Sequence, residues 1–284
     1  SPSSNLWCRH SFEETQREEL IHVTSASMLS LTIGVFVGLS AGYLGSLMVL
    51  KRMALVGDAL SHVALPGLAL GILFNFNPFI GAFIFLFGSA LIVWHIERIT
   101  RLSVETIVGA MFTLALAIGI LIIPQPDLLE ALFGDITKVT LLDTIVAVII
   151  GLLAVSLTRV VYKNMILGMI SEELATSSGI NVHRTNLIYL LLVSLVVAIG
   201  IKIAGSLLVG FLVIVPAATA KNLSSSLFRY ALLSSIFGIV SACSGVLLSG
   251  YLDLPSGPLV VLSGVVIFII GVVMKWASVR PRRL

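Results

Sequence analysis

The chain has 284 residues, of which 58% are hydrophobic and only 11% are charged, and its mean hydropathy is +1.11. This composition excludes an ordinary soluble domain, in which about 25% of residues are charged, and indicates a membrane protein. The net charge of +3 is small and its residues lie between the apolar segments, which favours a role in membrane orientation over nucleic-acid binding.

The apolar segments are long enough to cross a hydrocarbon core of roughly 30 Å, which takes about 20 helical residues. Helices satisfy their own backbone groups in lipid, and the sequence lacks the alternating segments of about 10 residues that a barrel needs. We therefore predict an all-α polytopic membrane helix bundle of eight or nine spans in residues 28–276. Residues 1–27 are predicted as a polar N-terminal arm or interfacial helix, and residues 277–284 as a basic cytoplasmic tail.

The apolar segments are predicted to run over 28–50, 53–73, 78–96, 104–123, 141–162, 186–202, 207–220, 230–249 and 258–276. Basic residues follow every second segment from the first to the ninth, so the positive-inside rule places these ends in the cytoplasm. One short segment can instead be re-entrant, which leaves eight spans and moves the N-terminus inside. The longest break, 124–140, is either a surface helix or a re-entrant element.

The first span carries four glycines, Gly34, Gly38, Gly42 and Gly45, roughly on one face. Small residues on one face let two membrane helices approach closely. This pattern predicts close helix packing along the first span.

The most informative stretch is 47–71, LMVLKRMALVGDALSHVALPGLALG, where an apolar segment contains Asp58 and His62. These two residues are four apart, so on a helix they lie one above the other on the same face. Ionisable residues at membrane depth are costly and by default indicate a functional site. Structural roles remain open: Asp58 can pair with Lys51 or Arg52, and His62 can hydrogen-bond a backbone carbonyl.

Two prolines predict helix breaks that can serve in gating. Pro66 cannot donate to the carbonyl of His62, and Pro216, after a tight turn at 204–206, leaves the carbonyl of Leu212 without its usual partner. Ordinary kinks are the alternative for both prolines.

Two further acidic residues are weaker candidates for the permeation pathway. Glu105 follows Ser103, a predicted N-cap, at the start of the fourth span, and Asp253 lies between the last two spans. Both lie at span ends, where solvated acids are common.

The segment 170–184 predicts a short capped helix between two spans. Ser171 is a suitable N-cap, Glu172 and Glu173 follow in the first turn, and Gly179 suits the left-handed residue that ends a helix. Such an element is either a docking site for a soluble partner or a well-formed loop.

Five motifs recur here in an order that resembles one family, the permease subunit of ATP-binding-cassette importers for zinc, manganese or iron(II). The similarity extends over nearly the whole chain and is greatest to bacterial zinc-uptake permeases. The motifs are KRMALVGDALSHVALPGLALG (51–71), LLEALFGDI (128–136), EELATSSGINVHR (172–184), GSLLVGFLVIVPAATA (205–220) and DLPSGPLVVL (253–262).

The resemblance implies a permease subunit of an ATP-driven importer in the bacterial inner membrane, moving a divalent transition metal, with zinc or manganese expected. It implies two cytoplasmic ATPase subunits, a second permease chain (identical or paralogous) and an extracytoplasmic metal-binding protein. It also makes 171–184 the coupling helix, with Ser171, Glu172, Glu173, Leu174, Ala175 and Gly179. The chain has no GxxxxGK[ST] loop, so ATP hydrolysis belongs to another subunit, and no permanently bound cofactor is expected.

The Asp58 carboxylate and the His62 imidazole together suit zinc and manganese. A thiolate would instead select zinc or copper(I), and no cysteine is near these two residues in sequence. One chain supplies one carboxylate and one imidazole, whereas two chains facing each other supply four ligands, enough for a tetrahedral zinc site. A transport site must also release its ion, so a transient site is expected.

Two other functional classes compete with the importer. A proton-coupled secondary metal carrier also uses broken helices and intramembrane acids, and ATP dependence separates it from the importer. An intramembrane enzyme is disfavoured, because the sequence contains neither GxSxG nor HExxH.

Overall fold

The computed structural model describes residues 28–100, 102–122, 132–133, 139–252 and 254–279, and within these ranges it contains helices and no strand. The helices are α1 (Met28–Leu50), α2 (Ala54–Leu73), α3 (Pro78–Thr100), α4 (Val104–Ile122), α5 (Leu141–Ile170), α6 (Glu172–Ser177), α7 (Val182–Ile201), α8 (Val209–Leu223), α9 (Leu227–Leu252) and α10 (Ser256–Val279). The predicted all-α bundle is confirmed.

Eight helices in the described ranges are long and apolar enough to cross a membrane. They include all of the described helices except α6 and α8, and α8 spans only about 22 Å at 1.5 Å per residue. The structure therefore gives the smaller of the two predicted span counts. The predicted arm (1–27), most of the break at 124–140 and the end of the basic tail (280–284) lie outside the described residues.

Two helices continue past the predicted ends of their spans. The third was predicted to end at residue 96 and the fifth at residue 162, but α3 reaches Thr100 and α5 reaches Ile170. Hydropathy marks the part of a helix that lies in lipid, whereas the backbone hydrogen bonds of the helix can continue into the polar interface. Arg98 lies in the last turn of α3, where a cation also favours the helix dipole.

The glycine face of α1 packs against α9 and α8, as predicted. A Cβ at Gly38 would lie 2.7 Å from the carbonyl carbon of Gly238, and a Cβ at Gly42 would lie 2.8 Å from that of Ser234. The Ser234 hydroxyl donates a hydrogen bond of 2.5 Å to the Gly42 carbonyl. Small side chains thus let the α1 and α9 backbones touch.

Helix α2 lies inside the bundle and packs against α3, α4 and the α7–α8 segment. The predicted break at Pro66 is wrong, because α2 runs without interruption from Ala54 to Leu73 with Pro66 buried inside it. Membrane helices tolerate an internal proline when neighbouring helices hold the backbone in place.

The break predicted at Pro216 is also wrong, because α8 continues through that residue. The chain breaks earlier, at Gly205, which has a φ of 73° and a ψ of 168° and lies in the predicted tight turn. A Cβ at Gly205 would lie 2.5 Å from the carbonyl carbon of Phe133. Both the positive φ and this close approach require glycine.

Candidate functional site

Asp58 and His62 lie in successive turns of α2, on the same face, as predicted. The His62 side chain is buried, with 5% of its surface exposed, and its ring meets the edge of the Phe112 ring of α4 at 5.0 Å between centroids. Asp58 is half-buried, and its backbone carbonyl accepts a 2.6 Å hydrogen bond from the Ser61 hydroxyl. The carboxylate and the imidazole are thus fixed on one packed helix.

The Nδ1 atom of His62 is buried, and no group in the described structure hydrogen-bonds it. A buried polar atom without a partner costs about 1–3 kcal/mol, and the Nδ1 of His62 is one of four such side-chain atoms in the described residues. The alternative in which a backbone carbonyl satisfies this nitrogen is not observed. A neutral imidazole nitrogen is a common metal ligand, which fits this environment.

Asp58 faces α8 at Gly210. A Cβ at Gly210 would lie 2.7 Å from both the Cβ and the Oδ1 of Asp58. The absence of a side chain at Gly210 therefore lets α8 approach the Asp58 carboxylate this closely. Sequence reasoning did not assign Gly210 a role, although it lies within the GSLLVGFLVIVPAATA motif.

Lys51 does not turn towards Asp58. Its Nζ donates a 2.7 Å hydrogen bond to Oδ1 of Asn186 on α7 and lies 6.0 Å from the centre of the Tyr189 ring. Burial lowers the pKa of Lys51, and the nearby Glu97 carboxylate opposes that shift. The alternative of an Asp58–Lys51 ion pair is thus not observed.

Within the described part of the chain, no three His, Cys, Asp or Glu residues come close enough to hold a metal ion. Glu105 is exposed in the first turn of α4 and does not join Asp58 and His62, and Asp253 lies outside the described residues. Asp58 and His62 are therefore only two candidate ligands within one chain, whereas a zinc site usually has three or four protein ligands.

The predicted capped helix is present as α6. The Ser171 hydroxyl accepts a 3.2 Å hydrogen bond from the Leu174 amide, and Gly179 ends the turn with a φ of 78°. Ala175 is fully buried and anchors the helix, whereas Glu172 and Glu173 are exposed and 59% of Leu174 is exposed. The outer face of α6 is thus a rigid, mixed apolar and acidic surface.

The link between α1 and α2, the ends of α3 and α5, and the starts of α6 and α7 meet at one end of the bundle. They line a cavity of about 1250 Å³ whose walls include Lys51, Arg52, Glu97, Arg98 and Glu172. We call this side the basic end. The basic clusters that follow the first and third spans thus share one side, as the charge pattern predicted.

Comparison with known proteins gives a family match over most of the chain. The model of the ABC 3 transport family matches residues 25–275. The manganese transport system membrane protein MntC of Listeria innocua is 35% identical over 85% of this chain and 88% of its own length. The high-affinity zinc uptake system membrane protein ZnuB of Buchnera aphidicola is 36% identical over 85% of this chain and 95% of its own length.

A solved structure has the same fold. PsaBC from Streptococcus pneumoniae, determined in complex with a Fab, has a chain that is 30% identical to this one and superposes with a TM-score of 0.75. The match covers 86% of this chain and 90% of that chain.

Proposed function

Because the chain belongs to the ABC 3 transport family, we propose that it is the permease subunit of an ATP-driven importer of divalent zinc or manganese. It is a multi-pass membrane protein of the bacterial inner membrane. The proposal on the cargo rests on relatives that are named for manganese or zinc transport and on the Asp58–His62 pair.

The observation that carries the proposal is the buried Nδ1 atom of His62, which has no described hydrogen-bond partner one turn from the Asp58 carboxylate. Nitrogen and carboxylate oxygen are ligands that both zinc and manganese accept. A permease site must bind the ion weakly enough to release it, so we expect the ligands to hold the ion only transiently.

A second permease chain, identical or paralogous, completes the site in this proposal. Two Asp58–His62 pairs across a dimer axis supply two carboxylates and two imidazoles, which is a full tetrahedral set for zinc. Manganese prefers more oxygen ligands, so water would complete its coordination. Iron(II) is a further cargo that this ligand set accepts.

The energy source in this proposal is a pair of cytoplasmic ATPase subunits, since the sequence has no phosphate-binding loop of its own. Helix α6 is the element that docks on the ATPase, through Glu172, Glu173 and Leu174, while Ala175 fixes it to the bundle. An extracytoplasmic metal-binding protein delivers the ion to the opposite side.

Gly179→Ala is expected to weaken this docking. The left-handed conformation is about 1–2 kcal/mol less favourable for alanine. No atom lies within 4 Å of the added Cβ, so the methyl group causes no clash and the effect is on the backbone conformation alone. Asparagine tolerates that conformation, so Gly179→Asn is the matched control. We expect lower recovery of the ATPase with affinity-purified Gly179→Ala than with Gly179→Asn. Equal recovery with both variants contradicts a docking role for this turn.

The proposed function is tested by ion uptake into vesicles that contain the chain, its ATPase and the binding protein. Zinc, manganese and iron(II) are supplied in turn, with ATP, without ATP, and with a pH gradient alone. ATP-dependent uptake of zinc or manganese supports the proposal. Uptake of iron(II) alone corrects the ion, and uptake driven by the pH gradient without ATP overturns the proposal in favour of a proton-coupled carrier.

A further inference from the structure

At the basic end, three polar side chains from three different elements form one cluster. Lys51 belongs to the link between α1 and α2, Glu97 to the last turns of α3, and Asn186 to the start of α7. We call these three residues the polar bridge. They share the wall of the 1250 Å³ cavity with Glu172 of α6.

Asn186 and Glu97 are the two neighbours of the Lys51 ammonium in the polar bridge. The Oδ1 of Asn186 accepts a 2.7 Å hydrogen bond from the Lys51 ammonium. The Glu97 carboxylate interacts electrostatically with Lys51 and raises the pKa of its ammonium, against the effect of burial. One carboxylate oxygen of Glu97, Oε2, is buried without a described hydrogen-bond partner.

Short links connect the residues of the polar bridge to α2 on one side and to α6 on the other. Residues 51–53 are all that separates α1 from α2, and this link is held by backbone hydrogen bonds, from the Lys51 amide to the Leu47 carbonyl (2.9 Å) and from the Met53 amide to the Met48 carbonyl (3.0 Å). Arg52 adopts a φ of 60° within it. Lys51 is therefore tied firmly to the start of the helix that carries Asp58.

On the other side, residues 178–181 separate α6 from α7. The Asn181 side chain caps α7 by accepting a 3.0 Å hydrogen bond from the Arg184 amide, and the Trp94 indole of α3 donates a 3.0 Å hydrogen bond to the His183 carbonyl. Asn186 therefore moves with the start of α7, which follows α6 directly. A displacement of α6 has a short, hydrogen-bonded route to α2.

We propose that Lys51, Asn186 and Glu97 are positioning residues that transmit movement of α6 to α2, and so couple ATP hydrolysis to a change in the Asp58–His62 site. This inference rests on the proposed function. None of the three residues belongs to the Asp58–His62 pair or to the α6 docking residues, but Glu97 lies close enough to Glu172 of α6 for the two carboxylates to interact electrostatically. The role of the bridge is to join these two elements. The adjacent cavity gives the side chains room to change partners as the elements shift.

The test compares uptake with ATP hydrolysis in reconstituted complexes that carry Lys51→Met. Losing a residue that lies between two coupled sites is expected to reduce the metal transported per ATP by about 2–30-fold, while assembly with the ATPase and basal hydrolysis stay close to wild type. Lys163→Met, an exposed lysine on α5, is the matched control and is expected to behave as wild type. A simple structural defect would lower uptake and hydrolysis together, which overturns the proposal.

A charge exchange tests the pairing itself. Lys51→Glu and Glu97→Lys are each expected to uncouple transport, and the double variant is expected to recover part of it, because it restores opposite charges at the two positions and the Asn186 amide can turn to donate to a carboxylate at position 51. No recovery in the double variant, or full coupling in Lys51→Met, overturns the inference. Wild-type vesicles are measured in parallel: if they show no ATP-dependent uptake, the proposed function fails, and this inference fails with it.

Discussion

His62→Ala is expected to abolish ATP-dependent metal uptake while leaving the chain folded and bound to its ATPase. The substitution removes the buried imidazole whose Nδ1 has no described protein partner. Losing a residue that only supports a metal ligand costs roughly 10–100-fold in metal affinity or activity, so loss of a direct ligand should exceed about 100-fold. The measurement is initial uptake of zinc and of manganese into vesicles of equal permease content.

His95→Ala is the matched control, because His95 is exposed on α3 and belongs to no proposed site. Asp58→Asn is the second test, since it keeps the volume of the side chain and removes its charge. Both His62→Ala and Asp58→Asn should retain basal ATP hydrolysis by the assembled complex. Normal uptake by His62→Ala, or an equal loss in His95→Ala, would contradict a ligand role for His62.

Gly210→Ala is expected to reduce uptake by roughly 100-fold, since misplacing a functional group by about 1 Å can cost that much. The added Cβ would lie 2.7 Å from the Asp58 carboxylate oxygen, so α8 and α2 must separate or the carboxylate must turn away. Overpacking of this kind also destabilises the fold by about 1–3 kcal/mol. Uptake and thermal unfolding of the purified chain are measured together.

Gly109→Ala, on α4, is the control for this substitution. A Cβ at Gly109 meets no atom within 4 Å, so it adds the same methyl group without a clash, and wild-type uptake is expected. If Gly210→Ala transports normally, the close approach of α8 does not set the position of Asp58. If Gly210→Ala unfolds at the wild-type temperature yet loses uptake, the effect is on the site and not on the fold.

Local patterns in the sequence predicted the membrane class, the position of most spans and two functional elements. The four-residue spacing of Asp58 and His62 places both on one face of any helix, and α2 confirms this. The N-cap at Ser171 and the left-handed Gly179 were predicted from residue type, because both depend only on the adjacent backbone. The docking and ligand roles of these residues remain predictions.

The break in the α7–α8 segment shows where such local reasoning fails. Proline removes a hydrogen-bond donor, so breaks were predicted at Pro66 and Pro216, yet both helices continue. Packed neighbours can hold a proline-containing membrane helix in place, and the sequence does not show those neighbours. The helix breaks instead at Gly205, which lies against the backbone of Leu132 and Phe133.

The sequence by itself determined that this protein is a helical membrane bundle with one acidic and histidine-containing face, because lipid forces every long apolar segment into a helix and a helix fixes which residues share a side. Only the tertiary structure decided that Gly210 lies against Asp58, and that Lys51 hydrogen-bonds Asn186. Both contacts join residues of different elements that are far apart in the sequence. They depend on how the helices pack, which no local pattern of residues specifies.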